Sequence, residues 1–372
     1  MPDIAIASPL VAVAVLALPS AAVQAQARFD TTTQVLTVPT IDVNGAIYRN
    51  LQARLDADGR LTILSLQPPT LDLPTRIAAA TATAASSTNA CAAIQPFYWE
   101  IGNQQQRQAS GSIAAAGNAT RYDASSVMDI ASASKWLYGA YVAERRGGAL
   151  TNEDIQFLNF RSGYTNFGPL GCDSADTVAS CVARGNNGVQ SPQNIDRFFY
   201  GGGHMQKHAS LPAPGMNLGD LNNTTLAAEM RRVLGPEIGI SYVQPQLAGG
   251  VRTTANDYAV FLRKLLNNQL KLAALLGSNP VCTNPSTCPS AVSTPTPPDL
   301  SWHYSIGHWV EDDPVTGDGA FSSAGAFGFY PWIDAGKSWY GIVARVSLFG
   351  AGADSALCGA AIRKAWFTGT VQ

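Results

Sequence analysis

The stretch Met128-Asp129-Ile130-Ala131-Ser132-Ala133-Ser134-Lys135-Trp136-Leu137 constrains this chain more than any other. It holds the only Ser-x-x-Lys in the sequence and runs into an apolar, helix-compatible segment that Gly147 and Gly148 bring to an end. With Ser132 on the first turn of that helix, Lys135 projects from the same face three residues on, within reach of the hydroxyl. A serine hydroxyl is a poor nucleophile until a neighbouring base takes its proton, and a lysine serves only when burial or nearby positive charge lowers its pKa. The positive end of the helix supplies part of that charge, and the Ser132 N–H can form half of an oxyanion hole. The competing reading is a solvent-facing lysine near a helix start, since so short a pattern also arises by chance.

The chain has 372 residues, 46% hydrophobic and only 13% charged, with a formal net charge of −2, which provides a real core and no basic surface for a nucleic acid. Residues Ile4 to Val23 form an apolar run broken by Pro9 and Pro19, followed by Ala25-Gln26-Ala27, where a signal peptidase could cut. We therefore expect a signal peptide over 1–27, although Asp3 stands where a Lys or Arg is usual, and a periplasmic or secreted product with no membrane span once the signal is removed. The cysteines agree with export. Cys91, Cys172, Cys181, Cys282, Cys288 and Cys358 are even in number and lack the spacing of a zinc or redox site. The close pairs Cys172 with Cys181 and Cys282 with Cys288 bracket loop-like stretches, which would leave Cys91 for Cys358.

From Arg28 onward come short β-like runs, with Asn44-Gly45 and Asp58-Gly59 as hairpin signals, and these predict an accessory β-module over 28–68. Pro, Thr, Ala and Ser then replace all periodicity, and 69–93 reads as a linker. The rest, 94–372, is long enough for one catalytic domain. Tyr98 to Gly102 and Gln108 to Ala114 read as strands. Tyr258, Phe261, Leu262, Leu265 and Leu266 mark an amphipathic helix with Thr254 and Asp257 as its cap. Asn279 to Pro298 reads as a Pro/Ser/Thr-rich loop. Trp302 to Glu311, Ala320 to Asp334 and Ser338 to Phe349 read as an antiparallel meander, and Ala356 to Phe367 as a terminal helix covering it.

Several residues could complete a site around Ser132. Tyr200, on the glycine-rich turn Tyr200-Gly201-Gly202-Gly203, can approach another group closely, and would act as a base if lysine charge lowered its pKa or as a proton shuttle otherwise. A core aromatic beside a tight turn is the alternative. His204 and His208 share the i, i+4 spacing of a metal pair, but no Glu lies between them and no third ligand is evident, so no metal is expected and His204 is assigned to the substrate lining. The small residues of Phe321-Ser322-Ser323-Ala324-Gly325-Ala326-Phe327-Gly328 are unusual for a strand unless something approaches its backbone, either a bound acyl group or a packed helix. Gly350-Ala351-Gly352 lacks the third glycine and the following βαβ unit of a dinucleotide loop, and no cofactor is expected.

In this order the pieces resemble the serine β-lactamase-like superfamily, which includes class C β-lactamases, D-Ala-D-Ala peptidases and related esterases. The resemblance rests on Ser132-Ala133-Ser134-Lys135, Leu158 to Tyr164, Tyr200-Gly201-Gly202, Ala248-Gly249-Gly250 through Asp257, and Ser323 to Gly328, and it spans about 94 to 372. It implies an α/β (α+β) fold, with an antiparallel central sheet flanked by helices and a mostly helical lobe. By the same resemblance Ser132 is the acyl-accepting nucleophile, Lys135 its base or proton carrier, and Tyr200 the second-motif tyrosine. The oxyanion would be held by the N–H groups of Ser132 and Ala326, with Gly202, His204, Ser323, Ala324 and Gly325 lining the substrate.

Two departures bear on substrate. The third motif in relatives begins with Lys or His where this chain has Ser323, and the second usually ends in Asn where this chain has Gly202. Losing a cation and an amide removes handles for a β-lactam or a D-Ala terminus, because charge-assisted hydrogen bonds are the strong ones. The expectation is therefore an exported serine hydrolase acting on small-molecule or polymer carboxylic esters. A β-lactamase or D-Ala-D-Ala carboxypeptidase that borrows Arg252 or Lys337 is the first alternative. A non-catalytic envelope- or polymer-binding protein of this fold is the second. Aromatics from Phe327 to Trp332 are expected to line the cleft.

Overall fold

The computed structural model describes residues 27–43, 46–56, 59, 61–67, 71–168, 171–348 and 352–372. The expected signal peptide up to residue 26, the Asn44-Gly45 turn, Asp58, Gly350 and Ala351 lie outside them. The described residues form two compact units, those up to Ala79 with Ala365–Val371, and those of Ala80–Lys364 with Gln372.

The first unit carries a four-stranded antiparallel sheet in the order β1 (Arg28–Asp30), β2 (Val35–Val43), β3 (Ala46–Leu55), β4 (Leu61–Gln67). Sequence order equals spatial order, as hairpin connections demand. Residues 73–84, expected as linker, instead form helix α1 (Leu73–Ala84). Asp72 accepts the Thr75 N–H at its start, Pro74 lies in the first turn, and alanines, the best helix formers, fill the rest. Its buried positions include Ala79, Ala80, Thr83 and Ala84, so the inward face differs little in hydropathy from the outward one and periodicity does not reveal it.

The second unit is built on eight antiparallel strands. Elements follow along the chain as β5 (Phe97–Asn103), β6 (Arg107–Ile113), β7 (Met128–Asp129), α2 (Ser134–Arg145), α3 (Asn152–Leu158), α4 (Val178–Ala183), β8 (Phe198–Phe199), α5 (Gly203–Ser210), α6 (Asn223–Leu234), β9 (Ser241–Tyr242), β10 (Val251–Thr253) and α7 (Ala255–Leu266). Then come β11 (Val281–Cys282), β12 (Ala291–Ser293), β13 (His303–Tyr304), β14 (Trp309–Glu311), β15 (Ala320–Ser322), β16 (Tyr330–Ile333), β17 (Trp339–Ala344) and α8 (Gly352–Thr368). The sheet order is β11-β13-β14-β15-β16-β17-β5-β6, so the first strands of this unit pair with its last. Helices α3 to α6, between β7 and β10, make the helical lobe. The fold is thus α/β with an antiparallel sheet, as the motifs imply.

The amphipathic helix is observed as α7, with the Thr254 side chain accepting the Asp257 N–H and the five marked apolar residues buried. The cysteines pair as the spacing suggests, Cys91 with Cys358, Cys172 with Cys181, and Cys282 with Cys288. The meander differs in detail. The segment 320–334 is two strands, not one, because the Gly325 N–H bonds to the Phe329 carbonyl and the Gly328 N–H to the Gly325 carbonyl, closing a turn that leaves the sheet. Among the described residues no helix is long and apolar enough to cross a membrane.

Candidate active site

Ser132 stands where β7 gives way to α2, on a single 3₁₀ turn, Ala131–Ala133. Ala131 adopts a left-handed φ of +44°, uncommon for a residue with a Cβ, which swings the chain from strand to helix within one residue. The turn is held from three sides. Ile130 N–H bonds to Val251 O at 3.0 Å, Ser134 Oγ donates to Ala131 O at 2.6 Å, and the Ser323 hydroxyl donates to the Ser132 carbonyl at 3.0 Å. Gly325 presses on the same turn, since a Cβ there would stand 2.1 Å from Ile130 O. What approaches the small-residue segment at Gly325 is therefore the backbone beneath the serine. Gly325 is expected to line the substrate, but it packs beneath the Ser132 turn instead.

Lys135 lies one turn along, with Nζ 2.8 Å from Ser132 Oγ and 2.9 Å from the Ala248 carbonyl. The residue is 4% exposed, and its Nζ binds only these neutral oxygens. Loss of hydration pushes its pKa down to about 7. Of the two causes expected, burial and the positive helix end, burial is the one that acts. At neutral pH the free amine is then within reach, with Nζ at hydrogen-bonding distance from the Ser132 hydroxyl.

Tyr200 is the third group at the site. Its N–H bonds to Ser293 O at 3.0 Å, its ring stacks on Trp309 with centroids 5.3 Å apart, and Lys135 Nζ lies 4.7 Å from its ring centroid. Burial raises its phenol to about 12 despite hydrogen bonds with Ser132 and Trp309. A phenolate base lowered by lysine charge is thus not what the geometry provides; the group is a protonated phenol beside the serine.

Ser132 and Tyr200 line a cavity of about 200 Å³, with Lys135 bonded to Ser132 outside that lining. The rest of the lining is Ala324 and Ala326, then Pro295, Thr296, Pro297, Leu300, Trp302 and Trp309, and Gly352, Ala353, Ala356 and Leu357 of α8. No charged side chain appears in this lining. The aromatics are Tyr200, Trp302 and Trp309 rather than Phe327 to Trp332, because Phe329, Tyr330 and Trp332 turn into the core. Their ring contacts, Tyr200 and Trp302 each against Trp309, give no single-sequence signal, and the proline wall reads as an ordinary loop.

Other expected lining residues stand elsewhere. His204 is fully buried on α5, where Nδ1 meets the Ser162 hydroxyl at 2.7 Å and Nε2 meets Phe199 O at 3.0 Å. Burial lowers it to about 3, so it is a neutral imidazole holding the strand before Tyr200. His208 binds Tyr138 and Asp154, each at 3.0 Å, and shares no ligand with His204. Gly202 opens α5 against Phe167 and Gln246, outside the cavity lining. Ser323 is buried behind the turn, joined to Ser132 through its backbone. Arg252 is held by both oxygens of Asp129, and Lys337 bonds to Ala273 O; neither lines the cavity.

No protein-family model and no curated protein matches the chain. Solved structures do. A candidate β-lactamase from Bacteroides dorei is similar over 72% of this chain and 92% of its own, at 18% identity and a TM-score of 0.53. A penicillin-binding protein from Bacillus halodurans is similar over 71% of this chain and 95% of its own, at 11% identity and a TM-score of 0.51. The chain thus has the fold of the serine β-lactamase-like superfamily.

Proposed function

We propose that this protein is a serine hydrolase that works through an acyl-enzyme on Ser132, with neutral carboxylic esters as its substrates. The observation that carries the reading is Lys135 Nζ, 2.8 Å from Ser132 Oγ and lowered to about 7 by burial, with Ser132 on a cavity without charged lining. The neutral amine takes the Ser132 proton as Oγ attacks the ester carbonyl carbon. Negative charge develops on the carbonyl oxygen, for which the Ser132 and Ala326 N–H groups are the donors. Tyr200, a phenol at neutral pH, gives its proton to the departing alkoxide and regains one from the Lys135 ammonium. Water then attacks the acyl-enzyme by the same route in reverse, releasing the acid and free Ser132.

The cavity also bears on substrate charge. A penicillin or a D-Ala terminus carries a carboxylate, and burying one without a partner is costly. Arg252 and Lys337 are engaged elsewhere and Ser323 supplies only a hydroxyl, so no observation favours the β-lactam or D-peptide reading over the ester one. The disulfides support export to an oxidising compartment.

The test is hydrolysis of p-nitrophenyl butyrate by the protein and its Ser132→Ala variant. Turnover by the first and not the second is expected. Equal rates, or no turnover by either, would overturn the reading.

A further inference from the structure

Between Ser293 and Trp302 the chain crosses the cavity as a strap containing Pro295, Pro297 and Pro298, whose fixed φ angles leave it few alternative shapes. Both ends are tied. At the start, Ser293 O accepts the Tyr200 N–H, and β12 runs parallel to β8. At the end, the Ser301 N–H bonds to Asp313 at 3.0 Å. Between these anchors the strap is gripped from behind by a turn that the Cys282–Cys288 disulfide closes. Within that turn Thr283 Oγ1 donates to Trp302 O at 2.5 Å, and Asn284 Nδ2 reaches Pro298 O at 2.9 Å and Leu300 O and Ser301 Oγ at 3.3 Å. Asn284 is 3% exposed, and its Oδ1 is taken by the Ser286 N–H. A buried amide that spends its donors on strap oxygens is a clamp, and the segment it holds presents Pro297, Leu300 and Trp302 to the cavity that Leu357 also lines.

Resting on the hydrolase reading, we propose that this clamped wall makes the cavity a rigid subsite for one uncharged apolar substituent of the ester, a short alkyl chain or a phenyl ring, and that Asn284 is the positioning residue that sets its length preference. A preformed apolar pocket gains affinity with each methylene it buries until it is full, and it gains nothing if its wall yields. Leu300 and Trp302 contact the substituent directly, whereas Asn284 acts through them.

The experiment measures kcat and KM for p-nitrophenyl acetate, butyrate, hexanoate and hemisuccinate, and for methyl to hexyl esters of one acid. Wild type should gain roughly threefold in kcat/KM per added methylene in one of the two series. The hemisuccinate should fall at least about tenfold below butyrate, its carboxylate having no partner there. Asn284→Asp keeps the shape and removes the donors, and it should lower the ratio of longest to shortest ester about tenfold, through KM rather than kcat. Leu300→Trp, which needs no clamp, should cut off the preference at a shorter chain. A Ser132-dependent rate that is flat in both series, or prefers the hemisuccinate, would overturn the subsite while leaving the hydrolase reading standing. A slope unchanged in folded Asn284→Asp would overturn the clamp. If no ester is turned over in a Ser132-dependent way, the hydrolase reading fails first and the subsite falls with it.

Discussion

Two cations are buried in the same unit and meet opposite fates. Lys135 is 4% exposed and bonds only to neutral oxygens, and burial alone drives its pKa down to about 7. Arg363 on α8 is 2% exposed, yet Nη2 lies 2.6 Å from Glu311 Oε2, Nε lies 2.6 Å from Asp318 Oδ2, and Nη1 bonds to Tyr330 at 2.8 Å. Burial disfavours its charge too, but Tyr330, Glu311 and Asp318 more than offset that and push its pKa up. Whether a buried cation becomes a base or a brace is decided by whether it is given an anion. The Lys135 site withholds one, and the Arg363 site supplies two.

The sharpest way to break this contrast is through activity. Lys135→Met should lower kcat/KM for a neutral ester by at least about 10⁴-fold, roughly 5.5 kcal/mol of barrier, since a serine without its base is nearly inert. Arg363→Met, measured on the folded fraction, should change it far less. The pH profile is part of the same test. On the proposed mechanism the active form has Lys135 neutral, so kcat/KM should climb about tenfold per pH unit up to about 7 and then level. A plateau that persists to pH 5 would mean that Lys135 is not the base.

Stability should reverse the ranking. Arg363→Met leaves Glu311, 2% exposed in its side chain, without its counter-ion, and urea denaturation should show a loss of about 3–5 kcal/mol. The double variant with Glu311→Gln should recover part of that. Full stability in the single variant would show that the carboxylates hold nothing in place.

The two sites were unequally legible in the sequence. Ser132 and Lys135 are local, three residues apart, so helical geometry alone brings them together. Tyr200 is distant, but the glycines behind it announce a close approach. The two short disulfides follow from spacing. Arg363, Glu311 and Asp318 gave no such sign, because each is an ordinary charged residue until the strands align. The same holds for the cavity wall, where Trp309 comes from β14 to meet Tyr200 and Trp302. Helix α1 was missed because an alanine face has no hydropathy contrast, and Gly325 was misread because close approach by backbone and by substrate leave the same small-residue signature.

The smallest expected effect is also the most discriminating. If Lys135 is kept as a base by being buried without an anion, its burial is a cost, and removing it should stabilise the fold. The ordinary value of the amine is 10.5, and burial in the fold pushes it down to about 7. Between those values the unfolded state holds a proton that the folded state does not, so stability rises with pH across that window, and the full cost is carried below it. Lys135→Met should therefore gain roughly 1–3 kcal/mol at pH 7, less than the ideal linkage because the bonds to Ser132 and Ala248 are lost with the amine. The gain should shrink as pH approaches 10, where wild type no longer pays for a deprotonated amine. Equilibrium denaturation of both proteins at pH 7 and pH 10 gives the two differences. Were Lys135 secretly paired like Arg363, the variant would instead be the less stable protein at both.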